Sequence, residues 1–189
     1  MATNNKAKPI EIIEPKTVWV GPAQAPVNIV WFGDYESEDC AKANTVIEKL
    51  MAQYEGQIRF NFRHFPLTQV HQHAQKAAEA SVAAAQEGKF AEMHQMLFNQ
   101  RRRLGSISLK EYAREVGVTD KNFLTKLVDS FYGWTVRADL LDGLNLGIRS
   151  VPAVMINDKL YEGRITFPEL SKAVEAELGT VSAGRRKRA

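Results

Sequence analysis

Asn28-Ile29-Val30-Trp31-Phe32-Gly33-Asp34-Tyr35, running on through Glu36-Ser37-Glu38-Asp39-Cys40 into Ala41-Lys42-Ala43-Asn44-Thr45-Val46-Ile47-Glu48-Lys49-Leu50, decides how the chain is read. Ile29 to Phe32 is a short apolar run of β-branched and aromatic residues between Pro26 and Gly33-Asp34, which predicts a strand buried on both faces. A helix follows at once. Ser37 can cap it, Glu38 and Asp39 put negative charge in its first turn, and Val46, Ile47, Leu50 and Met51 recur at helical spacing. Cys40, the single cysteine of the protein, falls in the first turn of that helix. A strand, a tight loop and a helix start together bring a thiol up to backbone N–H donors, an arrangement that can make it reactive.

Working outward, 189 residues with 44% hydrophobic and 25% charged side chains suffice for one core with an attached subdomain. No run of about 18 apolar residues is present to cross a bilayer, and the opening Met1 to Pro15 lacks the apolar segment of a secretion signal, so a cytoplasmic location is expected. One cysteine excludes an intramolecular disulfide and any cysteine-rich metal site, leaving a thiol that can bond only to another molecule. The net charge of +3 is localised: Arg185-Arg186-Lys187-Arg188 carry four positive charges, leaving the remainder at −1, too little for a nucleic-acid footprint. His64, His71, His73 and His94 show no H-E-x-x-H pattern, and the glycines form no phosphate loop, so neither a metal nor a nucleotide cofactor is expected.

Upstream of the opening stretch, Thr17 to Val20 is a candidate first strand. Downstream, Ile58 to Phe62 alternates apolar and polar residues and forms a second core strand, parallel to the first because a full helix separates them. The period then becomes helical for about eighty residues. An alanine-rich helix from His73 to Gln86 is stopped by Gly88, a second carries Phe90, Met93, His94, Leu97 and Phe98, and two shorter ones follow. Tyr132 to Leu146 reads as a last helix kinked at its glycines, in which Tyr132 and Trp134 can line a groove. Strand signals return at Ala153 to Ile156, with Asn157-Asp158 as a hairpin turn and a closing helix marked by Phe167, Leu170, Val174 and Leu178. The expected organisation is an α/β domain split between 14–66 and 148–179, a helical insertion at 67–147, and flexible termini at 1–13 and 180–189.

Several motifs together resemble the DsbA-like branch of the thioredoxin superfamily over about residues 14 to 179. They are F-x-D-Y-E after the central strand, a tetrad ending in cysteine at a helix start, H-F-P-L, H-x-x-A-x-x-A-A and K-F-x-x-M-H-x-x-L-F in the insertion, and G-I-x-S-V-P-A before a strand. The resemblance implies a thioredoxin-like fold and a cis Val151-Pro152 bond that brings Val151 and Pro152 to the active-site helix. It also implies a C-x-x-C tetrad, where this chain reads Ser37-Glu38-Asp39-Cys40. Aligning the tetrads puts Ser37 at the attacking and Cys40 at the resolving position, and dithiol exchange needs a thiolate at the first. Besides a structural protein whose groove no longer binds anything, two readings follow. In one, the chain keeps a peptide- or protein-binding surface around Pro152, with Tyr35, Glu36, Glu38, Asp39 and Val151 at the mouth of an apolar groove and the acidic residues favouring basic or neutral peptides. In the other, Cys40 alone performs glutathione-linked or mixed-disulfide exchange.

Overall fold

The strand read first, β1 (Val27–Gly33), is the inner strand on which the sheet is built, and Val27, Ile29, Trp31 and Phe32 are buried on its two faces. The computed structural model describes residues 11–186, with side chains described as far as Thr180. After β1 come α1 (Glu38–Gln53) and β2 (Ile58–His64), which pairs in parallel with β1 from Val27↔Ile58 to Gly33↔His64. β3 (Ala153–Ile156) runs antiparallel on the other side of β1, from Ile29↔Ile156 to Phe32↔Ala153. A short β4 (Lys159–Leu160) closes the sheet in the order β2-β1-β3-β4. Asn157 and Asp158 both have positive φ, 46° and 67°, as a two-residue hairpin between twisted strands requires. The closing helix α7 (Phe167–Arg186) packs Leu170 and Val174 into the core and runs beyond the expected boundary at 179. The remaining expected tail, 187–189, and residues 1–10 of the expected N-terminal tail lie outside the described residues.

Between β2 and β3 the chain forms five helices: α2 (Ala74–Ala85), α3 (Phe90–Asn99), α4 (Ser106–Glu115), α5 (Phe123–Val128) and α6 (Gly133–Asn145). A thioredoxin-like α/β sheet thus carries an inserted helical subdomain. The small side chains Ala77, Ala78, Ala80 and Ala84 are all buried, so α2 is the inner helix of the insertion, covered on several sides by its neighbours. No described helix is long and apolar enough to cross a membrane.

Two expectations are corrected. Thr17 to Val20 is not a strand: Pro15–Thr17 is a turn of 3-10 helix, closed by Thr17 and Val18 N–H groups onto the Glu14 and Pro15 carbonyls, and only Val20 bridges Phe60. β2 forms as expected, and its polar residues are buried with the rest, because Asn61 Nδ2 donates to the Pro15 and Val18 carbonyls at 2.6 and 2.7 Å, while Arg63 is held by Asp139 and Asp142 of α6. The last helix of the insertion is one continuous segment. Gly133 is its first residue, and Gly143 lets it approach the sheet, since a Cβ there would meet Phe65 Cδ2 at 2.9 Å and Phe32 Cδ1 at 3.1 Å.

Candidate functional site

The tetrad sits where β1 hands over to α1. Ser37 is the N-cap, its backbone extended and its Oγ accepting the Cys40 N–H at 3.3 Å, so the hydroxyl satisfies one of the free donors of the helix start. Glu38 and Asp39 are exposed in the first turn, but they are not a free acidic face: Lys42 lies 3.3 Å from both, and Arg101 of the insertion lies 3.3 Å from Glu38. Cys40 is fully buried (0% exposed) and its Sγ accepts the Asp34 N–H at 3.4 Å. Burial pushes its thiol up to about 11; the bonds from Asp34 and Ser37 pull the other way, and the Asp34 and Asp39 charges add to the rise. At neutral pH Cys40 is therefore a protonated thiol inside the core.

Asp34, which sequence reasoning passed over as part of a turn, organises the loop above it. Its carboxylate is buried and accepts the Glu36 N–H (2.7 Å) on Oδ1, and the Leu67 N–H (2.7 Å) and the His71 Nδ1–H (2.9 Å) on Oδ2. Glu36 continues the stitch, its Oε2 accepting the His73 N–H at 2.8 Å. An acidic residue just after a buried strand and before a helix start was the available signal, but its partners lie some thirty-five residues on.

Tyr35, expected at a groove mouth, is buried instead. Asn44 Nδ2 donates to Glu48 and Gln95, so Asn44 Oδ1 accepts from His94 Nε2–H at 3.0 Å; His94 Nδ1 is then the acceptor for the Tyr35 hydroxyl at 2.9 Å. Burial lowers His94 to about 3 and keeps the imidazole neutral, as this arrangement needs. The four histidines are thus engaged separately, His71 on Asp34, His73 through its backbone on Glu36, His64 on Ser81 at 3.2 Å, and His94 on Tyr35.

Pro152 and Val151 come to the tetrad through the sheet. The Phe32↔Ala153 pair places Val151-Pro152 beside the end of β1, where the loop to Ser37 begins. Val151-Pro152 is cis, as the resemblance implies. Val151 is half-buried, touching both the main core and the smaller cluster of Phe32, Phe65, Ile148 and Met155. Among the described residues its N–H and carbonyl have no hydrogen-bond partner. An apolar cavity of about 340 Å³ does open between the α/β domain and the insertion, walled by Val20, Ile47, Met51, Phe60 and His94, but neither Val151 nor the tetrad lines it. It flanks the middle of α1 rather than its N-terminus.

A family model described as Thioredoxin matches residues 14–176. Among curated proteins, a Na(+)/H(+) antiporter NhaA 3 of Salinispora tropica is 34% identical over 155 residues, 82% of this chain; the chain spans about a quarter (24%) of that protein's length. Among solved structures, oxidised BdbD of Bacillus subtilis superposes with a TM-score of 0.78 at 22% identity, over 88% of this chain and 93% of that one. The thiol-disulfide exchange protein alpha-DsbA2 of Wolbachia pipientis gives 0.72 at 22%, over 84% and 85%. A periplasmic thioredoxin-like protein of Salmonella enterica serovar Typhimurium gives 0.72 at 21%, over 88% and 92%. That last likeness overturns the cytoplasmic location: the same fold is housed in the periplasm, and the composition of residues 1–15 does not fix a compartment. With the helical insertion, the cis proline and a tetrad that holds one cysteine, the chain belongs to the thioredoxin family, and its fold is the DsbA-like form of that family.

Proposed function

We propose that this chain is a peptide-binding member of its branch that performs no dithiol exchange. The observation that carries the binding half is the unpaired N–H and carbonyl of Val151 beside the tetrad, which offer an extended segment one donor and one acceptor in the manner of strand addition. The catalytic half fails on chemistry. Ser37 occupies the attacking position, its oxygen engaged as a helix cap, and a hydroxyl without a neighbouring general base is no substitute for a thiolate. Cys40 cannot take over, because it is buried and its pKa is raised, leaving little thiolate to attack glutathione or a protein disulfide. Pro152 serves to hold Val151 just ahead of β3, past the end of its pairing with β1 and β4, and Glu36, Glu38 and Asp39 border the bound segment. Because Lys42 and Arg101 offset two of these carboxylates, the preference for basic over acidic peptides is worth less than about 1 kcal/mol and weakens with salt.

Insulin reduction with dithiothreitol as the reductant tests the catalytic half. The protein is expected to match its Cys40→Ala variant at background, whereas Ser37→Cys should form a 37–40 disulfide and gain turnover. Activity of the unaltered protein well above Cys40→Ala would make Cys40 a working thiol and end this reading.

A further inference from the structure

α6 is apolar on both sides. Its inner face buries Val136, Asp139 and Gly143, while Trp134, Arg137, Ala138, Leu141, Leu144 and Asn145 recur at helical spacing on the outer face and are all exposed. Trp134 is 80% and Leu141 45% exposed, and Phe131 and Leu146 lengthen the stripe at either end. Contiguous apolar surface of this kind marks an interaction site, and over thirteen residues the stripe is roughly 20 Å long.

We propose that this face is covered by the same face of a second copy, the two α6 helices crossing antiparallel about a twofold axis beside Asp139 and Leu140. A twofold contact must be complementary to itself, and this stripe is. With the axis there, Ala138 faces Leu141 of the second copy, small against large, so the helices can close to about 8–10 Å. Trp134 lies over Leu144 and Asn145 of the second copy. Arg137 faces its Asp142, whose Oδ2 is taken by Arg63 at 2.6 Å and whose Oδ1 has no partner among the described residues. Arg137 and Asp142, brought together by the twofold axis, favour a protein copy over a lipid surface, from which Asp142 and the neighbouring Glu14 would be repelled. A single helix pair falls below the area of a standard interface, so the dimer is weak, with Kd on the order of 10 µM.

Sedimentation equilibrium of the whole chain from about 1 to 500 µM, a range bracketing that Kd, tests this together with the emission of Trp134. The expected result is a concentration-dependent dimer whose formation shifts Trp134 emission to the blue, and at least a tenfold (about 1.4 kcal/mol) weakening in Leu141→Glu. In a Cys40→Ala background, Ala138→Cys mixed with Leu141→Cys should give an intermolecular disulfide on oxidation with diamide, two thiols losing two electrons and two protons to the reagent. The exposed control Lys110→Cys should give far less. A monomer across the range, a dimer unaffected by Leu141→Glu, or a blue shift seen only with phosphatidylcholine–phosphatidylglycerol vesicles would each overturn the proposal.

Discussion

Asp34 shows how much one carboxylate can hold when it has no access to water. It accepts three hydrogen bonds, from Glu36, Leu67 and His71, and its own N–H reaches Cys40 Sγ, so the loop over the tetrad, the segment after β2 and the buried thiol all meet at one residue. Asp34→Ala leaves the buried donors without an acceptor, and by the cost of unpaired buried groups it should lower stability by on the order of 2–4 kcal/mol in urea unfolding. A loss below about 0.5 kcal/mol, the level of an ordinary surface substitution, would mean that water replaces the carboxylate. The residues of the tetrad were legible because their signals are local: a capping serine, two acids in a first turn and a cysteine within one helical turn. Tyr35 was misplaced for the opposite reason. A tyrosine in a loop looks exposed until His94, on α3, supplies the buried partner that draws its hydroxyl inward.

At the scale of elements, period and punctuation located β1, α1, β2, β3 and the β-hairpin turn, and the change to a helical period marked the insertion. What they did not convey was closeness of packing. Gly143 looked like a kink, yet its role is to bring α6 down on Phe32 and Phe65. Gly143→Ala would gain up to about 1 kcal/mol of helix propensity but would press a methyl group into two aromatic rings, a cost of about 1–3 kcal/mol in a filled core. The expected outcome is a net destabilisation of about 1–2 kcal/mol by thermal or urea unfolding, with the near-ultraviolet signal of the aromatic core altered. A variant as stable as the parent would show that α6 can slide away from the sheet. The 3-10 turn at Pro15–Thr17 was illegible as well, because what fixes it is Asn61 on β2, reaching across to the Pro15 and Val18 carbonyls.

Across the whole molecule, the insertion is joined to the α/β domain by buried polar pairs as well as by apolar packing: Tyr35 and Asn44 with His94, His64 with Ser81, and Arg63 with Asp139. Burial holds both His64 and His94 down to about 3, against an ordinary value of 6.5. A histidine depressed in the folded state binds its proton first in the unfolded chain, so its contribution is present above pH 6.5 and is lost as pH falls toward 3. Between pH 7 and pH 5 each should cost about 2 kcal/mol, opposed in part by Asp139, whose carboxyl burial pushes up to about 6, so the readout is the part of the fall in urea midpoint that disappears when His94 is replaced by Gln. A pH profile unchanged in that variant would mean that the imidazole is already charged or solvated. The central claim, that a family frame which has given up exchange still presents its peptide edge, is tested most directly by titrating the ¹⁵N-labelled protein with a short, neutral, extended peptide. The account predicts saturable shifts of the Val151 and Ser37 amides, with Kd below about 1 mM, unchanged in Cys40→Ala. Binding that moves only residues distant from Val151, or no binding up to that concentration, would contradict it.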